Sequence, residues 1–207
     1  MPAMRTVELI DDLSAVLREQ MARARAVKAL PSEALLHRPA PEQWNALEIL
    51  EHLNLSSGIY VRGLEKVFAE RAAALPFNPA FRPGVLGGLF TRSMAPRPDG
   101  SIPNRMRTFR RMDPPKVGGA SLESIDRFID HCTRMLALLE RARSTDLDRM
   151  KVASSLGPVI RFKAGDAFRF PVGHQQRHFL QLERVLAAAA DQRTTTSRWA
   201  PCAVRTV

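Results

Sequence analysis

Four separate stretches of the chain repeat apolar residues three and four apart, and this period restricts the fold more than any other feature. In the first, Val7, Ile10, Leu13, Val16, Leu17, Met21 and Ala24 form one stripe, which should end near Ala29, ahead of Pro31. The second follows the link RPAPEQW and is expected over 45–74. Its stripe is Ala46, Ile49, Leu50, Leu53, Ser57, Tyr60 and Leu64, then Val67 and Phe68, with Asn45 or Gln43 marking the start and Pro76 the end. The third is expected over 121–143, with Ser121 as its N-cap and Leu122, Ile125, Ile129, Cys132, Leu136 and Leu139 facing inward, flanked by Phe128 and Met135. The fourth should run from Gly165 or Asp166 to Ala190, with Phe170, His174, His178, Leu182 and Val185 aligned. Pro171 near its beginning predicts a separate first turn or a kink.

Amphipathic helices bury their stripes against one another, so the expected class is all-α, a four-helix bundle. A proline- and glycine-rich crossover over 76–120 joins the second and third helices. It is too long for a structureless loop, and Val85–Phe90 reads as a short helix within it, whereas PPKVGG reads as irregular chain. A crossover of this length leaves the bundle topology open. The 145–164 link, containing SSLGPVIRF, should include a brief extended piece. Residues 1–190 are expected to form one bundle domain and 191–207 a polar tail, anchored if at all by Trp199. Ile59, Val61 and Phe68 offer either a homodimer seam or a surface under the crossover.

With 45% apolar residues the chain can form a sizeable core. Cys132 and Cys202 are too few for a disulfide framework and fit a reducing compartment. No apolar run has membrane-spanning length, and the acidic, amphipathic N-terminus is unlike a signal peptide, so the expected location is cytoplasmic and away from membranes. The formal charge of +10 is concentrated in the crossover, where Arg82, Arg92, Arg97, Arg105, Arg107, Arg110, Arg111 and Lys116 stand against Asp99 and Asp113. Such a segment can attract an anionic small-molecule substrate, a phosphate backbone, or nothing specific. The single Tyr offers few stacking platforms, which disfavours nucleic acid without excluding it.

The chemistry-bearing residues are histidines. His174 and His178 form an HxxxH pair one helical turn apart, on the line of Phe170, Leu182 and Val185 and therefore toward the interior. Such a pair alone is a weak signal, since two imidazoles hydrogen-bonded to neighbours would look the same. Burying them without partners costs several kcal/mol, on the order of 2–7 per polar group, so something must satisfy them. His52 lies at the edge of the second stripe, and facing helices commonly build metal sites in this way. Three neutral imidazoles suit Zn²⁺, Ni²⁺ or Fe²⁺ and leave coordination positions open. Glu48, one turn before His52, is a candidate proton acceptor or imidazole partner, against the alternative of a salt-bridged surface glutamate. His131 is a candidate relay or substrate-facing group, or a boundary residue. His37 reads as surface, Cys132 as a small buried residue, Trp44 as a cap on the second helix and Tyr60 as a core aromatic that could approach the cavity. Glu51 and Glu183 point away by helical phase.

Two segments carry a family resemblance. LPSEALLHRPAPEQWNALEILEHLNLSSGIYVRGL over 30–64 places a tryptophan ahead of a helix with an EHL histidine, and AFRFPVGHQQRHFLQLERVL over 167–186 places the histidine pair before a QLxRV segment. With FRRMDPPKV over 109–117, the chain resembles the DinB-like (DinB/YfiT-like) superfamily along nearly its whole length except the tail. The resemblance implies a four-helix bundle, frequently a homodimer, in which His52, His174 and His178 bind Zn²⁺ or Ni²⁺ with water completing the shell. It also implies S-transferases using low-molecular-weight thiols such as bacillithiol, mycothiol or glutathione, or hydrolases using metal-bound water. A non-catalytic interaction or stress-response bundle is the alternative of a different class. The basic crossover and the polar C-terminal extension depart from the family pattern.

Overall fold

The computed structural model describes residues 2–97, 99–102 and 107–198. Helix α1 spans Thr6–Lys28, α2 Ser32–Leu36, α3 Ala46–Arg71, α4 Val85–Met94, α5 Pro114–Val117, α6 Glu123–Ala142 and α7 Ala164–Arg198. Strand β1, Met4–Arg5, pairs antiparallel with β2, Ala80–Phe81, and β3, Lys151–Ser154, with β4, Gly157–Lys163. Among the described residues the protein is therefore predominantly α-helical, with seven helices and two small β-ladders rather than a plain four-helix bundle.

The four long helices are those the apolar period marks. Helix α3 packs on α6 and α7, and α1 packs on the same two, so the stripes meet in one core. Helix α3 is the best specified. Asn45 accepts a hydrogen bond from the Glu48 N–H at 2.9 Å, and Glu48 accepts one from the Asn45 N–H at 3.0 Å, a reciprocal capping box. Every residue of its stripe is buried, including Val67, Phe68 and Ser57. Val61 and Phe68, expected either in a homodimer seam or under the crossover, are core residues, with Phe68 edge-on to Phe168 at 6.0 Å.

The differences from the expected elements have local causes. Val7 and Leu122 are exposed because their stripes are rotated toward Leu9 and toward Phe128 and Met135. Ser121 does not cap α6 with its side chain; the Ser124 hydroxyl accepts the Ser121 N–H instead, at 3.2 Å. The PPKVGG stretch is not irregular throughout. Pro114 enters a one-turn helix where its missing N–H costs nothing, and Gly118 and Gly119, with φ of 125° and 82°, lead the chain out. Helix α7 continues through Pro171 and past the expected boundary at 190 to Arg198, so the first part of the expected tail is helical. Trp199 lies outside the described residues.

The 145–164 link holds a full hairpin over 151–163. It packs its Val152 and Phe162 inward from β3 and β4, and α7 starts directly at its end, where the Ala164 N–H reaches the Met150 carbonyl at 2.9 Å. Helix α4 lies across the first turns of α7. Asp166, fully buried in that first turn, accepts the Gly84 N–H at 2.7 Å and an Arg169 N–H at 3.0 Å. A Cβ on Gly87 would fall 2.6 Å from the Asp166 side chain, so this close crossing requires glycine. The end of α4 thereby meets α7 at Gly173, beside His174, and Met94 from α4 and Leu156 from the hairpin turn line one cavity with that histidine. No described helix is long and apolar enough to cross a membrane.

Candidate metal centre

His52 on α3 and His174 and His178 on α7 meet between these two helices. His174 Nε2 lies 3.3 Å from His52 Nε2 and 3.1 Å from His178 Nε2, and ligand atoms of all three fall within 4.8 Å of one another. Nitrogens held at about 2.0–2.1 Å from one tetrahedral ion stand about 3.3 Å apart, so the spacing suits a shared metal ion.

The opposite edge of each ring is tied down. His52 Nδ1–H donates to the Met112 carbonyl at 2.7 Å, and His178 Nδ1–H to Gln181 Oε1 at 2.9 Å. His174 Nδ1 faces Ser56 Oγ at 3.3 Å, and that hydroxyl donates to the Leu53 carbonyl at 3.2 Å, which leaves its oxygen to accept from the ring. These partners assign the proton of each ring to Nδ1 and turn three Nε2 lone pairs toward one point. Three lone pairs facing each other in a buried site repel and lack a donor. That is the arrangement a divalent cation satisfies.

Burial keeps the rings neutral. Desolvation pushes the His52 pKa below its usual value, partly offset by the Met112 carbonyl and by Asp113. It pushes His174 well down, with His178 and His52 adding to the effect. The same cause brings His178 to about 3, again with His52 contributing. Neutral imidazole is the form that binds metal.

The surroundings come from elements far apart in sequence. Trp44, ahead of the α3 cap, lies over the His52 ring at 4.8 Å and donates its indole N–H to Asp113 at 3.2 Å. Phe170 stacks beside His174 at 6.2 Å. A cavity of about 80 Å³ adjoins the histidines and is walled by Met94, Phe109, Met112, Leu156 and Phe170, with Ser155 and Arg177 on its polar side. Tyr60 does not line this cavity. Its hydroxyl reaches the Ser154 and Ser155 hydroxyls at 3.0 and 3.1 Å, and Arg111 donates to the Ser155 carbonyl at 2.8 Å, so both hold the hairpin turn against the site. Outside lies a larger vestibule of about 730 Å³, which shares Arg107, Thr108, Arg177 and His178 with the inner cavity.

The structure does not bring Glu48 or His131 to the histidines. Both carboxylate oxygens of Glu48 are engaged, one in the capping box and one in an ion pair with Arg38, and the residue lines neither cavity. His131 sits against Gly58, where a Cβ would approach its ring to 3.2 Å, and also lines neither cavity. Glu51 pairs with Arg127, and Glu183 with Arg23. Cys132 is fully buried and its thiol is pushed up to about 12 by desolvation, which suppresses nucleophilicity. His37 is half-buried on the link after α2. Sequence reasoning missed Ser56, Gln181 and Met112 as orienting groups and Trp44 as a cover for the site. Ser56 is four residues after His52 and Gln181 three after His178, spacings that could have revealed them. Met112 acts through its backbone carbonyl and leaves no trace in residue type.

A helical core with a three-histidine cluster closed by a basic crossover defines a class of candidate metal-dependent helical proteins. Comparison with protein families agrees: the model of the DinB superfamily matches residues 15–182, and the chain belongs to that superfamily. No curated protein and no solved structure matches the chain.

Proposed function

We propose that this protein is a metal-dependent enzyme in which His52, His174 and His178 hold a divalent ion, Zn²⁺ or Ni²⁺ foremost and Fe²⁺ next, and that it transfers a low-molecular-weight thiol to an electrophilic small molecule. The observation that carries the reading is the shared orientation of three Nε2 atoms whose Nδ1 edges are already satisfied. A bound ion of this kind supplies Lewis acidity that favours the thiolate over the thiol.

The residues of the chain provide the rest. Met112, Ser56 and Gln181 fix the rings, so little reorganisation is needed when a thiol arrives. Met94, Leu156 and Phe170 keep the inner cavity dry on one side, which suits a polarizable sulfur. In the transfer, sulfur forms a bond to the electrophilic carbon, the leaving group departs with its electron pair, and the thiol proton passes to solvent. The metal-dependent hydrolase reading needs a general base beside the attacking water. No described carboxylate lines the inner cavity, which favours transfer over hydrolysis.

The test uses protein purified without an affinity tag. The intact chain should carry stoichiometric metal, and His174→Ala should lose it while helix content by circular dichroism stays the same, because the apolar stripes carry the fold. Cobalt-loaded protein should develop a sulfur-to-metal absorption band on adding glutathione, bacillithiol or mycothiol. Metal retained by His174→Ala overturns the site. Metal present with no band for any thiol overturns the transferase.

A further inference from the structure

The vestibule outside the histidines is lined by Arg38, Arg107, Lys116, Arg177 and Arg184, against Glu42 and Asp113. Two of the cations are already committed: Arg38 pairs with Glu48, and Lys116 with Asp113 at 2.7 Å. Arg107 and Arg184 have no carboxylate within ion-pair distance among the described residues. Only Arg107 and Lys116 come from the basic crossover. Arg177 and Arg184 come from the helix that bears the histidine pair, and their positions relative to the site are thus set by its geometry.

Arg177, His178, Gln181 and Arg184 follow one another at one-, three- and three-residue steps along one side of α7. At about 1.5 Å rise per residue, Arg184 stands roughly 9 Å along the axis from His178, with Gln181 between them. A molecule whose reacting end lies at the histidines reaches Arg184 with a group about 10 Å away. The vestibule volume of about 730 Å³ is that of a small-molecule site, and Trp44, Pro41, Ile102 and Pro115 give it apolar walls between the charges.

We infer that one of the reacting molecules is an elongated anion whose carboxylate or phosphate docks on Arg184 and Arg107, with Arg177 at the passage into the inner cavity. This rests on the metal-dependent reading for the position of the reacting end, whereas the docking itself does not need the metal. Arginine suits the task because its planar fork can grip either oxyanion through two parallel hydrogen bonds.

Trp44 in the vestibule wall is the reporter, in a Trp199→Phe background that leaves it the single tryptophan of the full-length chain. Protein as purified is titrated with adipate, with pyrophosphate and with neutral 1,6-hexanediol. Trp44 emission should change saturably with at least one anion and not with the diol, and the better of adipate and pyrophosphate identifies the oxyanion. Half-saturation should rise about tenfold in Arg184→Gln and in Arg107→Gln, the effect of losing one charge-assisted contact. It should be only partly restored in Arg184→Lys, which returns the charge without the fork, and unchanged in Arg149→Gln, which lies in a separate basic groove between α3 and the hairpin. The titration is repeated in His174→Ala. Binding that persists there supports the vestibule even where the thiol test fails. Binding that disappears means that the anion sat at the histidines, and this overturns the proposal. So do equal responses to adipate and the diol, or unchanged binding in both arginine variants.

Discussion

The Gln181–His178 contact gives the sharpest test of how the site is held. Gln181 Oε1 accepts the His178 Nδ1–H at 2.9 Å, and it is the acceptor that places the proton on the outer edge of that ring. In Gln181→Leu the ring loses this anchor, and a tautomer protonated on Nε2 becomes accessible, in which the lone pair needed for metal is blocked. Losing such an outer partner costs about 10–100-fold in metal affinity, equivalent to about 1.4–2.8 kcal/mol. The same loss appears in stability. At one saturating free-metal concentration the metal stabilises the variant less than the parent by that amount. For a chain of this size the metal-induced rise in Tm shrinks by about 3–11 °C. The assay is Zn²⁺ competition against a chromophoric chelator, paired with thermal unfolding with and without metal. Gln181→Glu keeps an acceptor in place and should bind at least as tightly as the parent. The reasoning is refuted if Gln181→Leu binds Zn²⁺ as the parent does, or if the Glu and Leu variants lose affinity alike.

Two further outcomes follow from the burial of charge and from close packing. Folded-state imidazole pKa values lie below the unfolded value of about 6.5, so between the two the unfolded chain binds more protons. Stability of chelator-treated protein should therefore be full above about pH 6.5 and fall as the pH drops toward about 3, the value reached by His178, by up to about 1.4 kcal/mol per pH unit per histidine. Urea unfolding midpoints at pH 7.5, 6.0 and 5.0 check this, and a midpoint independent of pH contradicts it. Gly87→Ala should destabilise by about 1–3 kcal/mol through contact with Asp166, read in the same urea assay, and an unchanged midpoint would mean that α4 can lift away freely.

The long helices and the three histidines were legible because helical phase ties residue spacing to direction. His174 and His178 four apart, with Phe170 and Leu182 on the same line, have to face the core if the helix exists at all, and α3 carries His52 on the edge of a stripe that is wholly buried. Glu48 shows where the same logic stops. One turn before His52 it has the right phase to assist, but it is also the third residue of a helix capped by Asn45, and the capping box takes it. The hairpin was read only as a brief extended piece because its β3 strand, KVAS, is too short to show a period, and its inward Val152 and Phe162 belong to different halves of the link. The groups that orient the rings were harder still. A backbone carbonyl at position 112 is shared by every residue type, and only the tertiary path of the crossover brings it to His52.

That path joins the fold of the crossover to the chemistry of the site. His174 and His178 are oriented from within the two long helices by Ser56 and Gln181, but His52 depends on a carbonyl from the 3₁₀ turn Arg110–Met112. The same segment sends Arg111 to the hairpin turn at Ser155, while Asp113 just beyond it receives the Trp44 indole and pairs with Lys116. Metal held by His52 favours the ring with its proton on Nδ1, and that proton strengthens the bond to Met112. Order in the 110–113 segment and occupancy of the three nitrogens are thus linked in both directions, as any two equilibria that share a bond must be. Arg107 lies three residues before this segment, so the proposed anion-docking wall of the vestibule continues directly into the turn whose carbonyl accepts the His52 Nδ1–H.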